Sequence, residues 1–294
     1  MFGKKNTAPV APEKTGPFEN SAYWTCGDYS IHYRIDKAEG KEKGKFFVLH
    51  GFWMNTMFYD ELVAALNAKG YTVYRADMPS FGYSTREKKG IHYAKPAELI
   101  GKMIADLDDG KGFLLYGHSM GGSVAMEVAA ENSKHVKALI LNAPMFMRNS
   151  NDRQAERFTQ DRMVRLLTLE AKVIQRLKKP INLFLYLMTW DKEYAKSFDP
   201  ARFTAPFAHP DAGESLGFFT GHVKKPDVKK LKNIKVPVQY VAGGRDLFVN
   251  KAGVRKIRKA LPKKTDFRTI KGAGHCFPQA QTDLAVEYML DFLK

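Results

Sequence analysis

A serine set among glycines stands at Gly117-His118-Ser119-Met120-Gly121-Gly122, directly after the apolar run Phe113-Leu114-Leu115-Tyr116 and before a helix-like stretch from Met120 to Ala130. In a G-x-S-x-G turn between strand and helix, small residues let backbone segments approach closely, and the sharp turn lifts the serine hydroxyl clear of the sheet edge. Such a hydroxyl can attack an acyl carbonyl, but at neutral pH it needs a base, and the base needs an acid to orient it. The chain order expected with a turn of this kind is serine, acid, histidine. Downstream of Ser119 stand His135, His209, His222 and His275. His275 follows the last expected strand, in Gly272-Ala273-Gly274-His275, where it can reach a strand's C-terminal edge. His209 and His222 fall in an irregular middle stretch, and His135 lies too near the turn in sequence to return to it. Asp246 ends Val241-Ala242-Gly243-Gly244-Arg245-Asp246, just past the penultimate expected strand. Asp266 and Asp283 are the fallback acids, though neither ends a strand in the right place. The candidate catalytic set is Ser119, Asp246 and His275. Acyl transfer also needs backbone N–H donors for the oxyanion. Met120, the residue after the serine, is one candidate; Phe52, in the loop His50-Gly51-Phe52-Trp53, is the other.

The elements that must position these residues alternate. Strands are expected at 29–34, 46–49, 72–76, 112–116, 138–141, 236–241 and 267–270. Helices are expected around 58–66 and at 96–107, 120–130, 250–261 and 283–293. The alternation implies a mostly parallel sheet with helices on both faces. After Pro144 the rhythm changes. Residues 154–178 carry apolar positions at helical spacing, which predicts one long amphipathic helix. The stretch that follows, with Pro180, Pro200, Pro206 and Pro210 and many aromatics, shows no strand pattern. The expected organisation is a flexible tail over 1–18, a core made of 19–145 and 226–294, and a helical insertion over 146–225.

Composition bounds the rest. With 294 residues, 44% hydrophobic and 27% charged, the chain suits one α/β domain with an insertion and excludes a wholly disordered or fibrous protein. No apolar run approaches the roughly 20 residues of a bilayer-spanning helix. No apolar segment follows Lys4 and Lys5, so no signal peptide is expected and the cytoplasm is the default compartment. Two cysteines, Cys26 and Cys276, do not make a disulfide framework. The net charge is +16. Val223 to Lys235 holds six lysines and one aspartate, and Lys251 to Lys271 nine basic residues and one acid. These read first as a solvated basic surface; a peripheral contact with an anionic lipid surface is the alternative. No zinc spacing, RNA-binding motif or Arg-rich arm supports nucleic-acid binding.

His50-Gly51-Phe52, Asp77-Met78-Pro79-Ser80-Phe81-Gly82-Tyr83-Ser84, the Ser119 turn, Gly243-Gly244-Arg245-Asp246 and Gly274-His275 together resemble the α/β-hydrolase superfamily. Gly117-His118-Ser119-Met120-Gly121-Gly122 and Ala143-Pro144-Met145 are similar to its monoacylglycerol lipase and lysophospholipase branch. The resemblance implies the α/β-hydrolase fold, a serine-hydrolase triad, no metal and no organic cofactor, and an insertion that caps the site. Serine at position 119 argues against dehalogenases and epoxide hydrolases, which use aspartate there. The expected activity is hydrolysis of a carboxylic ester through an acyl-enzyme, on a monoacylglycerol, lysophospholipid or similar acyl ester. A thioesterase or carbon–carbon bond hydrolase with the same triad is the alternative, and a non-catalytic binding protein of this fold would be favoured by a missing triad member.

Overall fold

The computed structural model describes residues 16–88, 95–145, 178–205, 209–222, 227–249 and 251–294. All of the expected helix over 154–178 except Lys178, most of the tail and the start of the first basic stretch lie outside them. Eight strands form one sheet in the order β1-β2-β4-β3-β5-β6-β7-β8. β1 (Ser21–Cys26), β2 (Tyr29–Asp36) and β4 (Tyr71–Ala76) pair antiparallel in succession. From β4 onward every pairing is parallel, through β3 (Gly44–Leu49), β5 (Phe113–His118), β6 (Val136–Asn142), β7 (Val238–Gly243) and β8 (Asp266–Ile270). β1 is an element that periodicity alone did not mark. It is a short edge strand whose buried and open positions do not alternate.

Parallel strands need crossovers, and right-handed crossovers fix which face each helix covers. β3 leads through α1 (Asp60–Ala68) to β4 on one side of it. β4 leads through α2 (Pro96–Leu107) back past β3 to β5, and α3 (Met120–Glu131) continues in that direction to β6. The reversal puts α1 on one face and α2 and α3 on the other. The central strands are apolar along their whole length for this reason. β5 is buried at all six positions, and Phe46, Phe47, Val48 and Leu49 of β3 are buried together. At the reversal, between β3 and β5, two neighbouring strand ends diverge to opposite faces and leave a crevice beyond their C-terminal edge, where open α/β sheets bind ligands.

Between β6 and β7 the described chain is helical: α4 (Lys178–Thr189), α5 (Lys192–Ser197), α6 (Ala201–Thr204) and α7 (Ala212–His222). α8 (Lys251–Ala260), the short α9 (Phe277–Ala280) and α10 (Thr282–Phe292) complete the chain, with α10 packed beside α1. Among the described residues no helix is long and apolar enough to cross a membrane.

The segment Asp77 to Ser84 is tied down by one carboxylate. Asp77, fully buried, accepts from the Thr56 and Tyr83 N–H groups at 2.8 and 3.0 Å, and its Oδ2 lies 2.7 Å from His32 Nδ1. Burial alone would raise its pKa. The contacts with His32, His50 and the Tyr83 N–H outweigh that and hold it below the ordinary 3.8. Stability from this carboxylate is therefore fully present above that ordinary value and is lost as the pH falls through the lower folded value. Asp77→Asn should cost about 3–5 kcal/mol near pH 6, the loss expected when one member of a buried pair is removed. Urea melts at pH 6 and pH 3 check this: the gap between wild type and variant should narrow at pH 3.

Candidate active site

Ser119 sits between β5 and α3 with φ 52° and ψ −116°, a left-handed conformation that costs a non-glycine residue on the order of 1–3 kcal/mol. The surroundings enforce it. The Ser119 N–H donates to Asn142 O on β6 at 2.9 Å, and its carbonyl accepts from the N–H groups of Gly122 and Met145 at 3.0 and 2.9 Å. A methyl group on Gly121 would lie 2.5 Å from Leu49 O and 2.6 Å from His50 O, and one on Gly117 would lie 2.5 Å from Gly121 O. Any side chain at position 121 would push the turn off the end of β3.

The loop after β3 reaches the same crevice. A methyl group on Gly51 would stand 3.3 Å from Ser119 Cβ. The buried His50 imidazole fixes this loop. Its Nε2 accepts from the Met78 N–H at 3.0 Å, so Nδ1 carries the proton and donates to Gly51 O at 2.8 Å. Burial lowers its pKa, which favours this neutral form. Among the described residues, the N–H groups of Phe52 and Met120 have no protein acceptor. Met120 is almost fully buried. A buried N–H without a partner, as at Met120, is rare; the Phe52 N–H belongs to a half-buried residue.

Asp246 follows β7 and His275 follows β8, both past the same strand edge. His275 Nδ1 lies 2.7 Å from Asp246 Oδ2, with both side chains nearly inaccessible. The other Asp246 oxygen accepts from the Phe248 and Val249 N–H groups at 2.8 and 3.1 Å. Burial would raise the Asp246 pKa, but the hydrogen bond to His275, its charge and these two N–H donors together hold it below 3.8. Asp246 is therefore a carboxylate throughout the neutral range. The His275 ring stands 5.0 Å from that of His118, the residue before Ser119. Among the described residues no hydrogen bond joins Ser119 Oγ to His275 Nε2. Contacts of this kind are often long until substrate is bound.

The other candidates go elsewhere. His135 pairs with Asp108 at 2.8 Å, and His209 accepts from the Asp211 N–H. The side chain of His222 lies outside the described residues. Asp266 is taken by Arg268 and Gln239, and Asp283 is exposed.

Two contributions were not visible in the sequence. His118 Nε2 donates to His275 O at 3.0 Å while its Nδ1 accepts from Tyr59 Oη at 3.0 Å. The side chain beside Ser119 thus holds the backbone of the loop that carries His275. The end of α4 holds the same loop and its neighbour: the Cys276 N–H donates to Met188 O at 2.8 Å, and Trp190 Nε1 donates to Arg245 O at 3.0 Å. Nothing in the spacing of these residues links them, because each contact crosses from one distant loop to another. The rings of Phe52 and Trp53 stack at 5.8 Å, Trp53 meets Phe184 at 6.5 Å, and Phe184 meets Phe248 at 6.2 Å. These rings form a continuous aromatic row from the loop after β3 through α4 to Phe248, whose ring lies 5.6 Å from that of His275.

The sequence pattern of the serine aminopeptidase S33 family matches residues 40–279. The chain belongs to that family. A hydrolase of Bacillus subtilis, YugF, is 21% identical over 92% of this chain and 97% of its own length. The monoglyceride lipase of Rattus norvegicus is 24% identical over 60% of this chain; the alignment spans 63% of the lipase, less than two-thirds of its length. Among solved structures, an enol-lactonase from Burkholderia xenovorans superposes with a TM-score of 0.70 at 18% identity, covering 92% of this chain and 99% of the lactonase. That likeness is one of fold. The S33 chain described here has the α/β-hydrolase fold and is a hydrolase.

Burial, with the neighbouring His275 adding to it, pushes the pKa of His118 down to about 3. His118 should therefore stay neutral at every pH where the enzyme is folded, with its proton on Nε2. Nitrogen-15 spectra of the imidazoles recorded from pH 5 to pH 8 should place the His118 signal among those that do not titrate. His118→Gln should remove that signal. The unfolded chain protonates this histidine below its ordinary 6.5 and the folded chain does not, so its contribution to stability falls as pH drops below 6.5.

Proposed function

We propose that this S33 hydrolase cleaves carboxylic esters of apolar acyl chains through an acyl-enzyme on Ser119. The observation that carries the reading is a left-handed Ser119 beside a formed His275–Asp246 pair. In this mechanism Ser119 Oγ attacks the carbonyl carbon and its proton passes to His275 Nε2. The carbonyl oxygen becomes an oxyanion and takes the free N–H groups of Phe52 and Met120. Collapse expels the alcohol, which receives the proton from His275. Water, deprotonated by His275, then attacks the acyl carbon and releases the acid. Asp246 keeps the His275 proton on Nδ1, so that Nε2 faces the serine with a lone pair, and it stabilises the imidazolium when that forms.

The helical insertion acts as a cap in this reading. The aromatic wall of Phe52, Trp53, Phe184 and Phe248 suits an alkyl chain, and similarity to a monoglyceride lipase supports a monoacylglycerol or lysophospholipid as the substrate class. A peptide N-terminus would instead call for an unengaged carboxylate in the crevice, and Asp246 is committed to His275 and two backbone N–H groups.

Ser119→Ala should lower ester turnover by about 10⁴-fold or more and abolish fluorophosphonate labelling while leaving the circular dichroism unchanged. A variant that still labels would remove Ser119 from the mechanism. Asp246→Asn should reduce kcat by roughly 10⁴-fold, because the amide imposes the wrong tautomer on His275. Chain-length series of p-nitrophenyl esters, run beside acyl thioesters, vinylogous diketones and aminoacyl anilides, test the substrate class. Activity that is no better on medium and long chains than on acetate would defeat the acyl reading.

A further inference from the structure

Leu183, Leu247 and Phe248 are the large apolar side chains that stand exposed among the described residues, at 61%, 64% and 42%. They come from two distant parts of the chain and meet at one place. Leu247 and Phe248 follow Asp246 directly. The Phe248 ring lies 5.6 Å from that of His275 and 6.2 Å from that of Phe184, the neighbour of Leu183 on α4. Singly exposed apolar residues scattered over a surface need no explanation. A chain whose exposed large apolar residues gather at the rim of its candidate active site does.

The rim continues into charge. α8 begins three residues past Phe248 and buries Gly253 and Ile257, while Lys251, Arg255, Lys256, Arg258 and Lys259 are exposed. At 1.5 Å per residue these cations are spread over about 12 Å of helix. They are not neutralised locally. From Leu247 to Thr282 the chain holds one acid, Asp266, and Arg268 and Gln239 occupy it. The other basic stretch is not part of this face. Its Lys230 pairs with Glu131 on α3, and the turn that carries it packs on that helix. Nor does the apolar run Ile181 to Met188 serve as a whole: Ile181, Leu185 and Met188 are buried, which leaves Leu183 as the residue presented outward.

We propose that Leu183, Leu247, Phe248 and the outer face of α8 form a docking face for an anionic lipid surface. The apolar tips would enter the headgroup layer, and α8 would lie against negative headgroups, where each nearby lysine or arginine adds to the attraction. Aliphatic tips beside unneutralised cations match an amphiphilic, negatively charged layer. A nucleic acid would use the cations, but the two most exposed tips are leucines, which offer bases no stacking face, and the Phe248 ring is packed against those of Phe184 and His275. Docking in this orientation would turn the mouth of the crevice toward lipid. That purpose rests on the ester-hydrolase reading; the binding itself does not and is measured on inactive protein.

The full chain carrying Ser119→Ala is mixed with vesicles of phosphatidylcholine, with and without about 30% phosphatidylglycerol to set a surface potential on the order of −30 mV, and floated on a density gradient. Binding should require the anionic lipid and fall at least tenfold between low and high salt, because exposed charges are screened beyond about 8 Å at physiological ionic strength. Adding Leu183→Ser with Leu247→Ser, or Arg255→Glu with Lys256→Glu and Lys259→Glu, should each weaken binding at least tenfold. Lys229→Glu with Lys232→Glu, on the other basic stretch, should leave it unchanged. All these positions are exposed, and unchanged thermal melts would show that the variants fold. No binding to anionic vesicles, equal binding to neutral ones, no effect of either rim variant, or tighter binding to an oligonucleotide than to vesicles would each overturn the proposal. Ester turnover of the wild type on a water-soluble substrate, measured in parallel, separates failure of docking from failure of the catalytic reading.

Discussion

The site depends on how closely two backbone segments meet at the end of β3. Gly121 lies against the carbonyl oxygens of Leu49 and His50 at a distance that excludes even a methyl group. That approach presses the first turn of α3 against the loop after β3, and so brings Met120 and Phe52 to one crevice. It also leaves Ser119 little choice of backbone conformation, with its N–H held by β6 and its carbonyl by Gly122 and Met145. The strain at Ser119 is offset by the buried strands on either side, since β3 and β5 lie in the apolar centre of the sheet. The turn at Ser119 and the approach of the loop after β3 are therefore two results of one packing contact.

A Ser–His–Asp constellation alone does not make a site, and this chain contains a second one as evidence. Ser21 Oγ lies 2.8 Å from His32 Nε2, and His32 Nδ1 lies 2.7 Å from Asp77 Oδ2. As hydrogen bonding this array is more complete than the one at Ser119. Yet Ser21 sits under the turn at Gly16 to Phe18, its hydroxyl accepts from the Phe18 N–H, and the rings of Phe18, Tyr23 and Tyr83 close around His32. Asp77 also carries backbone N–H groups from two loops, which is the work of a structural tie. What distinguishes Ser119 is its place at the reversal of the sheet and the two unsatisfied N–H groups beside it.

The parts of this arrangement that were legible in the sequence are those set by local rules. Alternating apolar runs and helical periods located seven of the strands and the core helices to within a few residues, because a strand buried on both faces must be apolar throughout. Ser119, Asp246 and His275 could be chosen because each follows a strand, in an order that the turn chemistry demands. The structure brings Asp246 and His275 into contact and sets Ser119 in the adjoining crevice. What was not legible has a common cause. The parts played by His118, Tyr59, Met188 and Trp190 arise from contacts between loops far apart in sequence, and no periodicity encodes such contacts. β1 was missed because a half-open edge strand lacks the alternation of a one-sided sheet. The run from Ile181 to Met188 looked uniformly apolar, and only its packing separates Leu183 from its buried neighbours.

Those loop contacts bear on how the helical insertion relates to the crevice. α4 ends on Met188 and Thr189, and its last turn is bonded to the His275 loop through Cys276 and to the Asp246 loop through Arg245. Trp190, with φ 59°, turns the chain sharply there, and the Arg245 guanidinium stands 5.7 Å from its ring. A movement of α4 away from the sheet would have to break these bonds or carry both loops with it. The His275–Asp246 contact spans those same two loops, so its geometry is coupled to the seat of α4. The described end of α4 is thus held by backbone carbonyls on the side that meets the His275–Asp246 pair.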